Sequence, residues 1–465
     1  MGMGVGVSMT DNKKYIRHIF WLFVGLFLIM SGYFLLFVIV TGPSERNNTH
    51  NPRVRMVREG VYRGEIVDRH NRVLVTNAGD GRHYLFGEVF AHVIGHVGVG
   101  QAGVEERYHF NLTNLSQEVW QRGMHIAMER PMQGDSVTLT LDSRLQQHAF
   151  DTLGSRAGSV VMIQPSTGHV LAMVSYPTYD PNQVVSDWGT ISARTDSPLL
   201  NRATQGLYAP GSTFKTLTAS VAFSHGLADF EHHCVGDITI DGETIRCFNQ
   251  TAHGHLDMTQ AFAVSCNTFF VALAHELGTE VLLNEFSRYF EPVAFSLAHN
   301  QSQLGLTADS DIAELMQASI GQGRTLMTPL HLTLLTAAIA NDGLLMSPRV
   351  VQDTTLLGAT ISWLGQVTEL SAQRVFPNEQ AEHLAELMAQ VVSTGTGTNA
   401  SLPNHTVAGK TGTAENNAGA SHGWFTGFVA DQDIAITVML EHSGGTAPVL
   451  PMVRNLLDFY LNTLD

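Results

Sequence analysis

With 465 residues, 44% of them apolar and 15% charged, the chain has the composition of a folded protein and is too long for one compact core. A formal net charge of −16, with no basic stripe to offset it, excludes a nucleic-acid partner. Lysine is scarce: only Lys13, Lys14, Lys215 and Lys410 occur among 26 basic residues.

Residues 1–18 read as a short tail. From Ile19 to Val40 there follow 22 residues without a charge, enough to span a bilayer. The run is longer than a signal-peptide core and TGPSERN follows it instead of a small-residue cleavage site, so 19–41 is expected to be an uncleaved anchor. Lys13, Lys14 and Arg17 precede it, while Arg46, Arg53, Arg55 and Arg58 follow, so charge alone does not orient the span. TGPSERNNTHNP reads as a linker. In YRGEIVDRHNRVLVTN, alternating apolar residues flank Arg69-His70-Asn71-Arg72, as in a hairpin. His92 and His96 stand four apart, but Gly95 and β-branched neighbours argue against a metal-binding helix; ordinary loop or strand histidines are expected. Residues 42–135 are read as a small, mostly β pedestal with its linker.

The texture changes at 136. A strand at Ser136–Thr140 leads into an amphipathic helix starting near Asp142, and AGSVVMIQPSTGHVLAMVSYP gives two strands about a Pro-Ser-Thr-Gly turn. Helical patterns dominate from about 212 to 345. Strands return at HTVAGKTGTAE, GWFTGFVA and DIAITVMLEH, and a helix closes the chain. The expected fold for 136–465 is α+β, an antiparallel sheet flanked by helices.

Three short motifs share one chemistry. In YAPGSTFK, Ser212 precedes Lys215 by three positions at the start of a helical run, so both fall on one face. The helix N-terminus favours an alkoxide and a neutral amine. Taken alone, Ser212 could equally be an N-cap beside a surface cation. Arginine cannot serve as a base, whereas a desolvated lysine can, which explains why lysine is kept here. Lys410-Thr411-Gly412-Thr413 ends an apolar-alternating strand; an ammonium and two hydroxyls suit a carboxylate, and Gly412 would let a substrate backbone lie close. The plain alternative is an exposed edge-strand lysine that discourages aggregation. Ser265-Cys266-Asn267 lies between them at a break in two helical runs, where Asn267 alone would read as a helix cap.

Ser-x-x-Lys, Ser-x-Asn and Lys-Thr-Gly in this order resemble the serine β-lactamase/transpeptidase signature. With the anchor, RGEIVDRHNRVL, GQAGVEERY, YPTYDPN, GQGRTLMTPLH and HGWFTGF, nearly the whole chain resembles a class B penicillin-binding protein, a monofunctional peptidoglycan D,D-transpeptidase. The resemblance implies that Ser212 attacks the carbonyl between two terminal D-alanines of a stem peptide while Lys215 takes its proton. Backbone N–H groups of Ser212 and Thr413 would stabilise the oxyanion. Ser265 would relay a proton with Lys410, Asn267 would orient the substrate and Lys215, and Thr411 and Thr413 would hold the terminal carboxylate. It also implies β-lactams as covalent ligands, an extracytoplasmic catalytic domain, and an integral-membrane glycan polymerase as partner. No cofactor is required for the reaction. Two departures stand out: Cys266 replaces the usual Asp of the middle motif, and the pedestal is short. A serine β-lactamase and a non-catalytic sensor or scaffold are the rival functions. The first lacks an obvious deacylating glutamate; the second does not need intact Ser212, Lys215 and Lys410.

The cysteines cluster as C-x12-C-x5-H-x12-C at Cys234, Cys247, His253 and Cys266, a complete tetrahedral zinc set. His232, His233 and His255 are spare imidazoles. Some elongation-type relatives are similar in carrying a metal site beside the middle motif, whereas resemblance to sporulation-type relatives implies a Cys247–Cys266 disulfide. Three cysteines leave one unpaired in any disulfide scheme. Zinc, a disulfide and free thiols all remain open.

Overall fold

The computed structural model describes residues 9–40, 61–79, 81–113, 132–354, 372–416 and 419–463. The expected linker lies outside them. Met9–Val40 form one continuous helix. An 18-residue window of it, Arg17–Phe34, has a mean hydropathy of 1.5 and is not buried at all, as a membrane-crossing helix requires. Among the described residues it is the one helix long and apolar enough to cross a membrane.

The pedestal hairpin forms where alternation places it, with Ile66–Val67 antiparallel to Val73–Ala78 and Asn71 in the turn at φ 63°. Gly81–Tyr84 adds one edge. On the other side Val137–Leu139 pairs parallel with Ile66–Val67, and Val351–Thr354 completes five strands. The strand expected at 136–140 thus hydrogen-bonds to the pedestal hairpin on one side and to a segment more than 210 residues downstream on the other. Asp68 reinforces this junction by accepting from Ser143 Oγ (2.6 Å) at the start of the Ser143–Leu153 helix. Asp142 caps that helix by accepting from Arg144 N. Inside the pedestal, fully buried Glu105 accepts from both Arg63 and Arg82, so its charge is paired.

A second five-stranded sheet is antiparallel throughout, in the order His169–Tyr176, Gly158–Gln164, Ala435–Leu440, His422–Val429, Val407–Ala414. Both faces are apolar, and alternate residues supply different cores. Val161, Ile163, Ala435 and Met439 join one core with helices Lys215–Ser224, Asn267–Leu277 and Pro329–Ala340. Val160, Met162, Ile436 and Val438 join another with Ser143–Leu153 and Val449–Thr463. Helices thus sandwich the sheet, and Pro329–Ala340, buried on nearly every side, is a core helix of 12 residues, not a second span.

One stretch departs from expectation. The region read as helical from 212 to 345 contains four short strands: His232–Cys234 pairs with Gly254–Leu256, and Asp237–Ile240 with Glu243–Arg246. Asp241 (φ 49°) and Gly242 (φ 89°) form the tight turn of the second pair, for which Asp-Gly between β-branched runs is the sequence signal. His92 also differs from the loop or strand expected, since it sits on the one-turn helix Ala91–Ile94. It hydrogen-bonds Pro198 O (2.9 Å), while His96 follows the helix and bonds the Tyr179 hydroxyl (2.9 Å).

Candidate active site

Ser212 lies in a 3-10 turn, Gly211–Phe214, that runs into the helix Lys215–Ser224. Gly211 makes the turn possible. Its φ is 55°, and a Cβ there would stand 2.6 Å from Thr413 O. Ser212 is half-buried and Lys215 wholly buried. Among the described residues the Ser212 hydroxyl makes no hydrogen bond, leaving it open to a substrate.

The lysine points into a polar knot. Lys215 Nζ donates to Ser265 O (2.7 Å), Asn267 Oδ1 (2.7 Å) and Ser265 Oγ (3.3 Å). Lys410 Nζ donates to the same Ser265 Oγ at 2.9 Å. Lys410 is fully buried, which rules out the edge-strand surface role. Phe270 and Phe262 stand 5.5 Å and 5.3 Å from the two ammonium nitrogens, so apolar rings line the knot. Burial pushes Lys215 down to about 7, against the attraction of the Cys266 and Cys247 sulfurs. Lys410 is held well below the ordinary lysine value, first by burial and then by the Lys215 charge.

The middle motif is shaped to present both groups. The helix Met258–Ala263 ends with Ser265 N–H on Phe262 O (3.2 Å) and Cys266 N–H on Ala261 O (2.9 Å). Ser265 takes φ 58°, an uncommon conformation for a non-glycine residue and one associated with functional sites. Asn267 opens the next helix, and its amide nitrogen is fixed by Arg246 O at 2.8 Å.

Lys410, Thr411, Gly412 and Thr413 lie on Val407–Ala414, the free edge strand of the large sheet. Gly412 has a structural reason to be glycine besides the substrate approach expected. A Cβ on Gly412 would stand 2.8 Å from Thr213 Cγ2 and 2.9 Å from Pro210 O, so its bare Cα admits the nucleophile's own turn. Thr411 is buried, with its hydroxyl 2.6 Å from that of Thr396, and Thr413 is half-buried. Sequence reasoning missed Thr396, Phe262 and Phe270. The glycines around Thr396, in Thr394-Gly395-Thr396-Gly397, were the available signal for a shaped loop.

Cys234, Cys247, His253 and Cys266 come together, with one donor atom from each within 4.8 Å of every other. Cys234 and Cys247 sulfurs are 3.7 Å apart, as are Cys247 and Cys266, and Cys234 Sγ lies 3.4 Å from His253 Nδ1. A tetrahedral zinc with bonds of about 2.3 Å to sulfur and 2.0 Å to nitrogen demands edges of about 3.8 and 3.5 Å. All three cysteines are free thiols, so the Cys247–Cys266 disulfide is not formed. The Cys266 thiol, donating to Cys247, pushes the Cys247 value down, which favours one thiolate in the cluster. His233 and His255 pack against each other with their rings tilted by 43°, and His232 packs against Phe269, outside the set.

With this geometry in view, comparison with known proteins is decisive. Residues 158–458 match the penicillin binding protein transpeptidase domain. The chain belongs to the penicillin-binding transpeptidase family. Over 440 residues it is 31% identical to peptidoglycan D,D-transpeptidase PbpA of Mycolicibacterium smegmatis, covering 86% of this chain and 88% of that one. It is 30% identical to peptidoglycan D,D-transpeptidase MrdA of Acinetobacter baumannii, covering 82% of this chain and 66% of the longer relative. The fold superposes on penicillin-binding protein A from M. tuberculosis, an imipenem acyl-enzyme complex, with TM-score 0.78 and 27% identity, over 87% of this chain and all of that one. The D,D-transpeptidase domain from Eggerthella lenta gives TM-score 0.78 at 29% identity over the same shares.

Proposed function

We propose that the protein is a peptidoglycan D,D-transpeptidase that works through a Ser212 acyl-enzyme. The observation that carries this reading is the convergence of two wholly buried lysines on one serine hydroxyl, Ser265 Oγ, beside an unengaged Ser212. Lys215 takes the Ser212 proton as Oγ attacks the carbonyl between the terminal D-alanines. The C–N bond breaks, and the departing D-alanine amine receives a proton through Ser265, which Lys410 polarises. An amine of a second stem peptide then attacks the ester, its proton returning by the same path. Asn267 anchors Lys215 and the substrate amide. Backbone N–H groups of Ser212 and Thr413 stabilise the oxyanion. Lys410, Thr411 and Thr413 form the end that receives the terminal carboxylate. β-Lactams carry a similar carboxylate and acylate the same serine.

Residues 1–18 form a cytoplasmic tail, 19–41 a single membrane anchor, 42–135 a reduced pedestal and 136–465 the transpeptidase domain on the extracytoplasmic side. An integral-membrane glycan polymerase supplies the strands to be cross-linked. The sulfurs of Cys234, Cys247 and Cys266 with His253 Nδ1 would hold a structural zinc ion, which would cross-link the short strands to the middle motif; the reaction itself requires no cofactor.

Labelling membranes with a fluorescent penicillin tests the function. Stable labelling of the wild type supports the transpeptidase, rapid loss of label means a β-lactamase, and absence of label means a scaffold.

A further inference from the structure

The hydroxyl facing a substrate at the carboxylate end need not come from the Lys-Thr-Gly strand. Thr411 is 4% exposed, whereas Thr396 is exposed. Their oxygens are 2.6 Å apart, and among the described residues this is the only hydrogen bond either hydroxyl makes. One proton lies between two oxygens, and each hydroxyl owns one. A buried hydroxyl left without an acceptor is costly, and Thr396 is the acceptor within reach, so Thr411 donates to Thr396. The Thr396 proton is then free on the exposed side.

Thr396 is also built into place. Its N–H donates to Ala263 O (3.1 Å), at the end of the helix that turns into Ser265. A Cβ on the preceding Gly395 would stand 2.2 Å from Ala263 O, so only glycine allows this approach. Gly397 N–H closes the turn on Val391 O (2.9 Å). The loop therefore bridges the segment bearing Ser265 and the strand bearing Lys410.

We propose that Thr396 is a substrate-binding residue: its hydroxyl donates to the substrate's terminal carboxylate, with Thr411 behind it as the group that fixes its orientation. This rests on the transpeptidase reading and refines it, moving the outermost donor from the buried strand threonine to the loop.

The test measures acylation of the full-length protein by a penicillin and by its methyl ester, which lacks the anionic carboxylate. A hydrogen bond to a charged group corresponds to a loss of about tenfold to a hundredfold. Thr396→Val should lose that much with the acid and little with the ester, and Thr396→Ser should restore the acid's rate. Equal losses with both compounds would reduce Thr396 to a structural residue, and no loss would remove it from the site; either outcome overturns the proposal. A wild-type protein that neither compound acylates would sink the transpeptidase reading itself, and this proposal with it.

Discussion

Lys215 Nζ and Lys410 Nζ meet at a single oxygen, Ser265 Oγ, at 3.3 and 2.9 Å. Two cations cannot share so small an apolar enclosure at low cost, so at least one of them is held neutral. That gives the site its base.

Lys215→Arg keeps the cation and removes the base. Guanidinium does not lose its proton near neutrality, so the variant should fold yet acylate about 10²- to 10⁴-fold more slowly. Stopped-flow labelling with a fluorescent penicillin measures the rate, and circular dichroism checks the fold. A normal rate would exclude Lys215 as the base.

The same group sets a pH dependence. Burial lowers Lys215 to about 7, and the base must be unprotonated to accept the Ser212 proton. The acylation rate should therefore rise with pH through about 7 and fall tenfold for each unit below it. A flat profile between pH 5 and 8 would contradict the assignment.

Ser265→Gly separates strain from chemistry. Glycine adopts φ 58° freely, so relief of about 1 kcal/mol of strain offsets part of the cost of removing the acceptor shared by two buried amines, and the melting temperature should fall less than in Ser265→Ala. Acylation should drop sharply because the hydroxyl between the two lysines is gone. A melting temperature below that of Ser265→Ala, with normal acylation, would reverse both statements.

Metal analysis addresses the cysteine cluster. Purified protein should carry one zinc per chain, and chelation or Cys234→Ser should lower the melting temperature, since such an ion would tie two short strands to the turn at Cys266. Metal-free protein with unchanged melting would remove zinc from the account.

Much of this was legible in the sequence because the relevant constraints are local. Ser212 and Lys215 share a helical face by spacing alone, and the strand that carries Lys410 follows from alternation. The C-x12-C-x5-H-x12-C spacing could not decide among zinc, a disulfide and free thiols, because its three segments are strand, 3-10 turn and helix cap, and only tertiary packing sets their sulfurs 3.7 Å apart. Thr396 was invisible for the same reason, since its partner is 15 residues away across a helix-to-strand loop. Gly412 shows the converse. The need for a bare Cα was readable, but its cause, the Pro210–Thr213 turn, was not.

The most direct test of the central claim is peptide mapping by mass spectrometry after reaction with a penicillin. The account predicts one covalent adduct, on the peptide containing Ser212, absent from Ser212→Ala and present in Thr396→Val after longer exposure. An adduct on Ser265, or one that persists in Ser212→Ala, would contradict it.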